Sequence, residues 1–166
     1  MSTRMQFRVL AIDPGFDRIG VAVMEESGSK PILLHSECIE TNSKDSRGKR
    51  LLVIGKSLGK IIKKWKPTSL AVENLFFNKN ITSGIGVAEA RGVILYEASI
   101  AKLEIFEYGP QSIKTAVTGY GRADKTQVGI MVRKLVNLEE KRVARLDDEV
   151  DAIALGITHL ATQKGI

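Results

Sequence analysis

Four carboxylates stand where the surrounding pattern does not ask for one. Asp13 closes the apolar run Val9-Leu10-Ala11-Ile12, and Pro14-Gly15 follows at once. Glu73 closes a second run, Leu70-Ala71-Val72. Asp148 and Asp151 lie three residues apart at the start of a third apolar segment, a spacing that puts both on one side of a helix's first turn. Gathered in one place, such carboxylates repel strongly unless cations compensate. Oxygen-only donors suit Mg²⁺ or Mn²⁺. A cluster holding two such ions is the arrangement for in-line phosphoryl displacement: one ion generates hydroxide and the other steadies the leaving oxygen.

Each carboxylate also has a plainer reading. Asp13 before Pro-Gly suits an ordinary turn, and Glu73 suits a strand end in water. Asp147, Asp148 and Glu149 suit the positive end of a helix dipole. Asp151 fits such a reading poorly, because it lies inside Val150-Asp151-Ala152-Ile153-Ala154-Leu155, where an unpartnered charge is costly. The combination carries the weight.

The elements that must position these groups are legible in outline. Pro14 cannot donate to a sheet ladder, so the strand over 7–13 must end near Asp13. A second strand over 18–26 pairs back through the short turn, and a third follows over 32–39, giving an antiparallel meander. Residues 42–49 read as a polar connector. Leu51, Ile54, Gly55, Leu58, Ile61, Ile62 and Trp65 recur at helical spacing, and Pro67 ends that helix. A short buried strand follows over 69–74, then a loop over 76–80. A long helix is expected over about 83–102, with Ile85, Ile94 and Leu95 as its apolar bulk. A fifth strand over 103–108 precedes a short helix over 111–118 and a flexible loop, Gly119-Tyr120-Gly121-Arg122. Asp124 caps a helix reaching about Leu138, with Val128, Met131, Val132, Leu135 and Val136 on its inner face. A charged connector over 139–145 leads to the last helix, which starts near Asp147. Three strands, then alternating helices and strands, give an α/β fold: a five-stranded mixed sheet flanked by helices on both faces.

Composition sets the frame. The 166 residues suit a single domain, with 43% hydrophobic and 27% charged residues and a net charge of +6. A basic surface attracts polyanions, of which nucleic acid is the commonest inside a cell. One cysteine, Cys38, excludes an internal disulfide and a Cys-rich zinc site. No apolar run approaches the ~20 residues of a membrane span, and the N-terminal residues make a poor signal peptide. A cytoplasmic protein is expected.

At this point the chain resembles the RuvC-type Holliday-junction resolvases along nearly its whole length. The resemblance rests on Ile12-Asp13-Pro14-Gly15 with Gly20, on Ala71-Val72-Glu73-Asn74 with Phe76, and on Ala90-Arg91-Gly92. It continues in Phe106-Glu107-Tyr108, in Lys114 before Val117-Thr118-Gly119, in Asp124-Lys125-Thr126-Gln127-Val128, and in Asp148-Glu149-Val150-Asp151-Ala152-Ile153-Ala154. It implies a ribonuclease-H-like fold and a Mg²⁺-dependent endonuclease acting as a homodimer, with Mn²⁺ able to substitute and two ions per site. Such an enzyme nicks two opposing strands of a four-way DNA junction symmetrically, within a short degenerate tetranucleotide, leaving 5′-phosphate and 3′-hydroxyl ends. The RuvA–RuvB branch-migration complex is the implied partner.

Carried over residue by residue, the catalytic and metal-binding carboxylates fall on Asp13, Glu73, Asp148 and Asp151. Asp147 neighbours Asp148, and the spacing to Asp151 favours Asp148. Lys114 and Lys125 match positions that contact DNA near the scissile phosphate, although Lys125 also reads as a first-turn surface lysine. Phe76 and Phe77, in a polar loop, suit stacking on a junction base, with Phe76 expected to face DNA. Arg122 lies in the glycine-rich loop that DNA would order. Gly84, Ala88 and Gly92 form a small-residue stripe suited to an isologous helix pair, or to packing on the helix's own sheet.

Three competitors remain in view. An actin-like ATPase shares the Asp-Pro-Gly hairpin but needs a second nucleotide-binding half, for which the chain has no room. A YqgF-type nuclease of RNA processing shares the fold; the Phe76 loop and the Asp148/Asp151 block argue against it. A non-catalytic module that binds branched DNA would have no need of four matched carboxylates.

Overall fold

A computed structural model of the chain describes residues 7–75, 81–138 and 147–163. Its centre is β1 (Arg8–Asp13), in which every residue from Val9 to Ile12 is buried. A run apolar on both faces belongs in the middle of a sheet covered on both sides. β2 (Arg18–Ser27) pairs with β1 antiparallel, and β3 (Lys30–Glu40) pairs with β2 antiparallel. β4 (Ser69–Glu73) lies parallel to β1 on its other side, and β5 (Glu104–Tyr108) lies parallel to β4. The order is β3-β2-β1-β4-β5. This is the expected mixed sheet of a meander plus two further strands.

Strand alternation divides the core. Leu10 and Ile12 of β1 point with Leu70 and Val72 of β4 into a layer covered by α1 (Arg47–Trp65) and α2 (Ile81–Ile100). Val9, Ala11 and Ala71 point the other way. There they meet α3 (Pro110–Thr118), α4 (Lys125–Val136) and α5 (Asp147–Gln163). α5 is the apolar keystone of that layer, buried without interruption from Ala152 to Leu160.

Several boundaries and faces differ from the sequence expectation. α1 starts inside the segment read as a connector, because Ser46 caps it: its Oγ accepts from the Lys49 N–H at 3.3 Å. α2 turns Gly86, Ala90, Ile94 and Ala98 to the sheet, while Ile85 is 46% exposed. Small residues let α2 lie close to its neighbours, so bulk was a poor guide to its inner face. In α4 only Val128 and Val132 are fully buried, and Leu135 faces outward. The loop over 76–80 and the connector over 139–145 lie outside the described residues.

One buried polar group went unread in the sequence. His159 of α5 has no exposed surface. Its Nε2 hydrogen-bonds with Ser69 Oγ at 3.0 Å and its Nδ1 with the Tyr108 hydroxyl at 2.8 Å. Phe7 stacks on the ring and Phe106 tilts against it. Burial lowers its pKa from 6.5 to about 4. The unfolded chain takes up this proton near pH 6.5 and the folded chain only near 4, so the stabilisation is full above 6.5 and is lost as pH falls toward 4. In paired denaturant titrations, His159→Phe should cost about 1–3 kcal/mol at pH 7, through the unpaired Ser69 and Tyr108 hydroxyls. The gap to wild type should narrow on acidification to pH 4; a gap independent of pH would contradict a neutral buried imidazole.

Candidate active site

Register alone brings the first two carboxylates together. Ile12 pairs with Val72 across the parallel β1–β4 ladder, so Asp13 and Glu73 follow side by side at the carboxyl ends of both strands. Ile12 and Val72 face the α1–α2 layer. Period-two alternation therefore turns the next residues, Asp13 and Glu73, toward α5.

β2 brings α5 to meet them. Asp13 pairs with Gly20, and a Cβ on Gly20 would overlap the main-chain carbonyl of Asp148. The first turn of α5 thus rests on bare backbone beside Asp13. Carboxylate oxygens of Asp13, Asp148 and Asp151 all lie within 4.8 Å of one another. Glu73 stands outside that trio but is joined to Asp13 by a carboxyl–carboxyl hydrogen bond. Asp147 points elsewhere: its side chain is 77% exposed and faces Lys125, whereas that of Asp148 is 23% exposed and faces the cluster.

The turn after Asp13 is pinned by a residue the sequence reading passed over. Arg50 of α1 is buried and lies over the Phe16 ring at 3.9 Å. It donates to Thr41 Oγ1 at 2.9 Å and pairs with Asp17. Thr41 in turn donates its hydroxyl to the Phe16 carbonyl at 2.7 Å. The signal was present: Arg50 shares the buried stripe with Ile54, Leu58 and Ile61, and an arginine on an apolar stripe calls for partners.

The cluster is electrostatically strained without a cation. Burial, and then the negative charges of Glu73, Asp151 and Asp148, push the Asp13 carboxyl from 3.8 up to about 8. Burial also raises Glu73, with the bond to Asp13 and the charge of Lys114 pulling the other way. Asp151 is raised by burial and held down by Lys125. Lys125 Nζ lies 3.4 Å from Asp147 and 3.6 Å from Asp151. Arg18 Nε lies 3.0 Å from Asp148 Oδ2, without satisfying that oxygen's hydrogen-bond geometry.

These shifts give the metal-free protein a definite pH dependence. The unfolded chain releases the Asp13 proton near pH 3.8 and the folded chain near 8. The stabilisation is therefore full below 3.8 and lost as pH rises toward 8. His159 works in the opposite sense below 6.5, which leaves pH 6.5–8 as the clean window. With EDTA present, the melting temperature should fall across that window, and saturating Mg²⁺ should flatten the fall. A metal-free curve that stays level would contradict this environment for Asp13.

A cleft of about 230 Å³ opens beside the cluster, lined in part by Glu73, Lys114, Lys125 and Asp151. Lys114 and Lys125 thus stand beside the carboxylates. Arg122 is exposed on the turn before α4 and does not line the cleft. Phe76 and Phe77 lie outside the described residues. Gly84 and Ala88 are half-buried and Gly92 is exposed. They face away from the sheet, which overturns packing on the helix's own sheet as the use of that stripe.

A five-stranded mixed sheet with acidic residues converging at the ends of β1 and β4 and the start of α5 has the ribonuclease-H-like architecture. Comparison with known proteins narrows the class. The family model described as crossover junction endodeoxyribonuclease RuvC matches residues 9–159. The crossover junction endodeoxyribonuclease RuvC of Halothermothrix orenii is 45% identical over 151 residues, 91% of this chain and 90% of that protein. That of Heliobacterium modesticaldum is 44% identical over 149 residues, 90% of this chain and 91% of that protein. Among solved structures, T. thermophilus RuvC in complex with Holliday junction substrate superposes with a TM-score of 0.90 at 31% identity, covering 96% of each chain. The yeast mitochondrial Holliday junction resolvase shares the fold at 14% identity and a TM-score of 0.71, over 96% of this chain and 80% of that one. The chain belongs to the RuvC family.

Proposed function

We propose that this protein is a Mg²⁺-dependent endonuclease that resolves four-way DNA junctions in recombination and repair. Asp13, Glu73, Asp148 and Asp151 serve as its catalytic carboxylates. The observation that carries the reading is the convergence of Asp13, Asp148 and Asp151 on one spot, with Glu73 bonded to Asp13, in a chain of the RuvC family. An all-carboxylate donor set that is destabilised by its own charge fits hard divalent cations. Two such ions, Mg²⁺ or Mn²⁺, would supply an activated water and neutralise charge on the leaving oxygen.

The chain's own groups do the rest. Asp13 and Glu73 are fixed by the strand ladder, and Asp148 and Asp151 by a buried helix, so the donors need little reorganisation. Lys114 and Lys125, in the cleft wall, bind backbone phosphates and hold the strand against the carboxylates without reading sequence. Arg122, which does not line the cleft, contacts junction DNA, and Phe76 and Phe77 stack on its bases. Hydrolysis leaves a 5′-phosphate and a 3′-hydroxyl.

Paired nicks need two sites in two-fold relation. α2 offers the surface for a homodimer: Ile81, Ile85, Tyr96 and Ile100 are exposed, beside the small residues Gly84, Ala88 and Gly92. The protein acts as one nuclease domain over residues 1–166, in the cytoplasm, and hands over from the RuvA–RuvB complex. Among the described residues, no helix is long and apolar enough to cross a membrane.

The test is to incubate the purified protein with an end-labelled four-way junction in Mg²⁺, then add DNA ligase. Symmetric nicks in opposing strands that ligase reseals are expected. Unpaired nicks, or ends that ligase cannot join, would contradict the proposal.

A further inference from the structure

A second groove adjoins the catalytic cleft and has no role in the reading above. It runs between α4 and α5, with a volume of about 280 Å³, and is lined by Lys125, Gly129, Arg133, Asp147 and Asp151 among others. The catalytic cleft is lined by Glu73, Lys114, Lys125 and Asp151. The two therefore share Lys125 and Asp151 and meet on either side of that pair. Each also has a further cation, Lys114 in the cleft and Arg133 in the groove.

The floor of the groove is unusual for a helix. Lys125, Gly129 and Arg133 follow at steps of four, one above the other on a single face of α4. Gly129 sits in mid-helix, where glycine is unfavourable relative to alanine. Among the described residues packing does not ask for it, since a Cβ there would meet none of their atoms within 4 Å. What the missing side chain does provide, among the described residues, is a bare-backbone passage between Lys125 and Arg133. Arg133 is exposed and enters no ion pair among the described residues. A solvated lysine or arginine alone would be unremarkable; here Lys125 is held by Asp147 and Asp151 on the α5 wall, which leaves Arg133, across the bare Gly129 backbone, as the cation without an ion pair among the described residues to meet the phosphate of a charged backbone.

Resting on the junction-nuclease reading, we infer that the α4–α5 groove holds the cleaved DNA strand beyond the scissile linkage. The strand's backbone passes over Gly129, and Arg133 neutralises the neighbouring phosphate. Arg133 is a substrate-binding residue here, not a catalytic one. The groove extends the footprint on one strand by a linkage and sets the direction in which that strand crosses the carboxylates.

Two variants and one modified substrate test this. Arg133→Gln should weaken binding to a four-way junction about tenfold and lower the slope of log affinity against log salt by about one. On a junction carrying a neutral methylphosphonate next to the cleaved linkage, on one side only, the same substitution should have no effect, because its partner charge is gone. Gly129→Leu should fold with an unchanged Mg²⁺-dependent rise in melting temperature, yet bind about tenfold more weakly, because the added side chain blocks the passage. The inference is overturned if both variants bind and cut as wild type with the same salt slope. It is equally overturned if Arg133→Gln weakens binding whichever adjacent linkage is neutral. Wild-type protein that neither binds nor cuts the junction overturns the parent reading, and the groove's role with it.

Discussion

Asp13→Asn should lose junction cleavage by about 1,000-fold or more, equivalent to about 4 kcal/mol of transition-state stabilisation, while binding the junction as before. Asparagine keeps the shape of a protonated carboxyl, so the register that pairs Asp13 with Gly20 is undisturbed. It also abolishes the proton uptake that folding imposes on Asp13, whose carboxyl burial and three other carboxylates push up to about 8. The metal-free variant should therefore be more stable than wild type at pH 7.5, by about 1 kcal/mol or more, which for a chain of this size is about 2–4 °C in melting temperature. The two effects have opposite signs, and that is the diagnostic. A residue kept for folding would lose stability and activity together. Single-turnover cleavage in Mg²⁺ and thermal melts in EDTA read the two separately. A variant that is both inactive and less stable without metal would contradict a functional role for Asp13.

Gly20→Ala is the second large effect, and it touches no carboxylate. The added methyl would overlap the Asp148 carbonyl, so the first turn of α5 must lift away from β2. Asp148 leads that turn and Asp151 follows it, while Asp13 stays with the sheet. A displacement near 1 Å between groups that must act together costs about 100-fold in rate. Stability should suffer much less, because the buried stretch of α5 begins only at Ala152. The expected result is cleavage reduced about 100-fold at saturating junction, with a higher Mg²⁺ requirement. Activity within a factor of two of wild type would show that α5 does not need bare backbone beneath it.

The contrast between these two residues marks what could be read from the chain alone. Asp13 was visible because an apolar run ends in a charge and then in proline, a local pattern. Glu73 and the Asp148/Asp151 spacing were visible for the same reason. Their convergence followed from fold class, since neighbouring parallel strands place their carboxyl ends together. Gly20 was visible as a matched residue but not as a contact. What it touches lies over a hundred residues away, and nothing local encodes that distance. Arg50 and His159 escaped for a related reason. A buried cation or imidazole is tolerated only when distant groups satisfy it, here Asp17 and Thr41 for one and Ser69 and Tyr108 for the other. The faces of α2 misled because small residues were packed inward and Ile85 outward. Bulk predicts burial only for a helix lying at ordinary distance from its neighbours.

The activity proposed for these carboxylates is the cutting of branched DNA, with ordinary duplex left alone. The direct measurement is the single-turnover rate on a four-way junction and on a linear duplex of the same sequence, at equal protein and Mg²⁺. Paired cleavage of the junction is expected, with duplex cleavage slower by two orders of magnitude or more, about 3 kcal/mol of discrimination. Equal rates on the two substrates, or no cleavage of either, would contradict it.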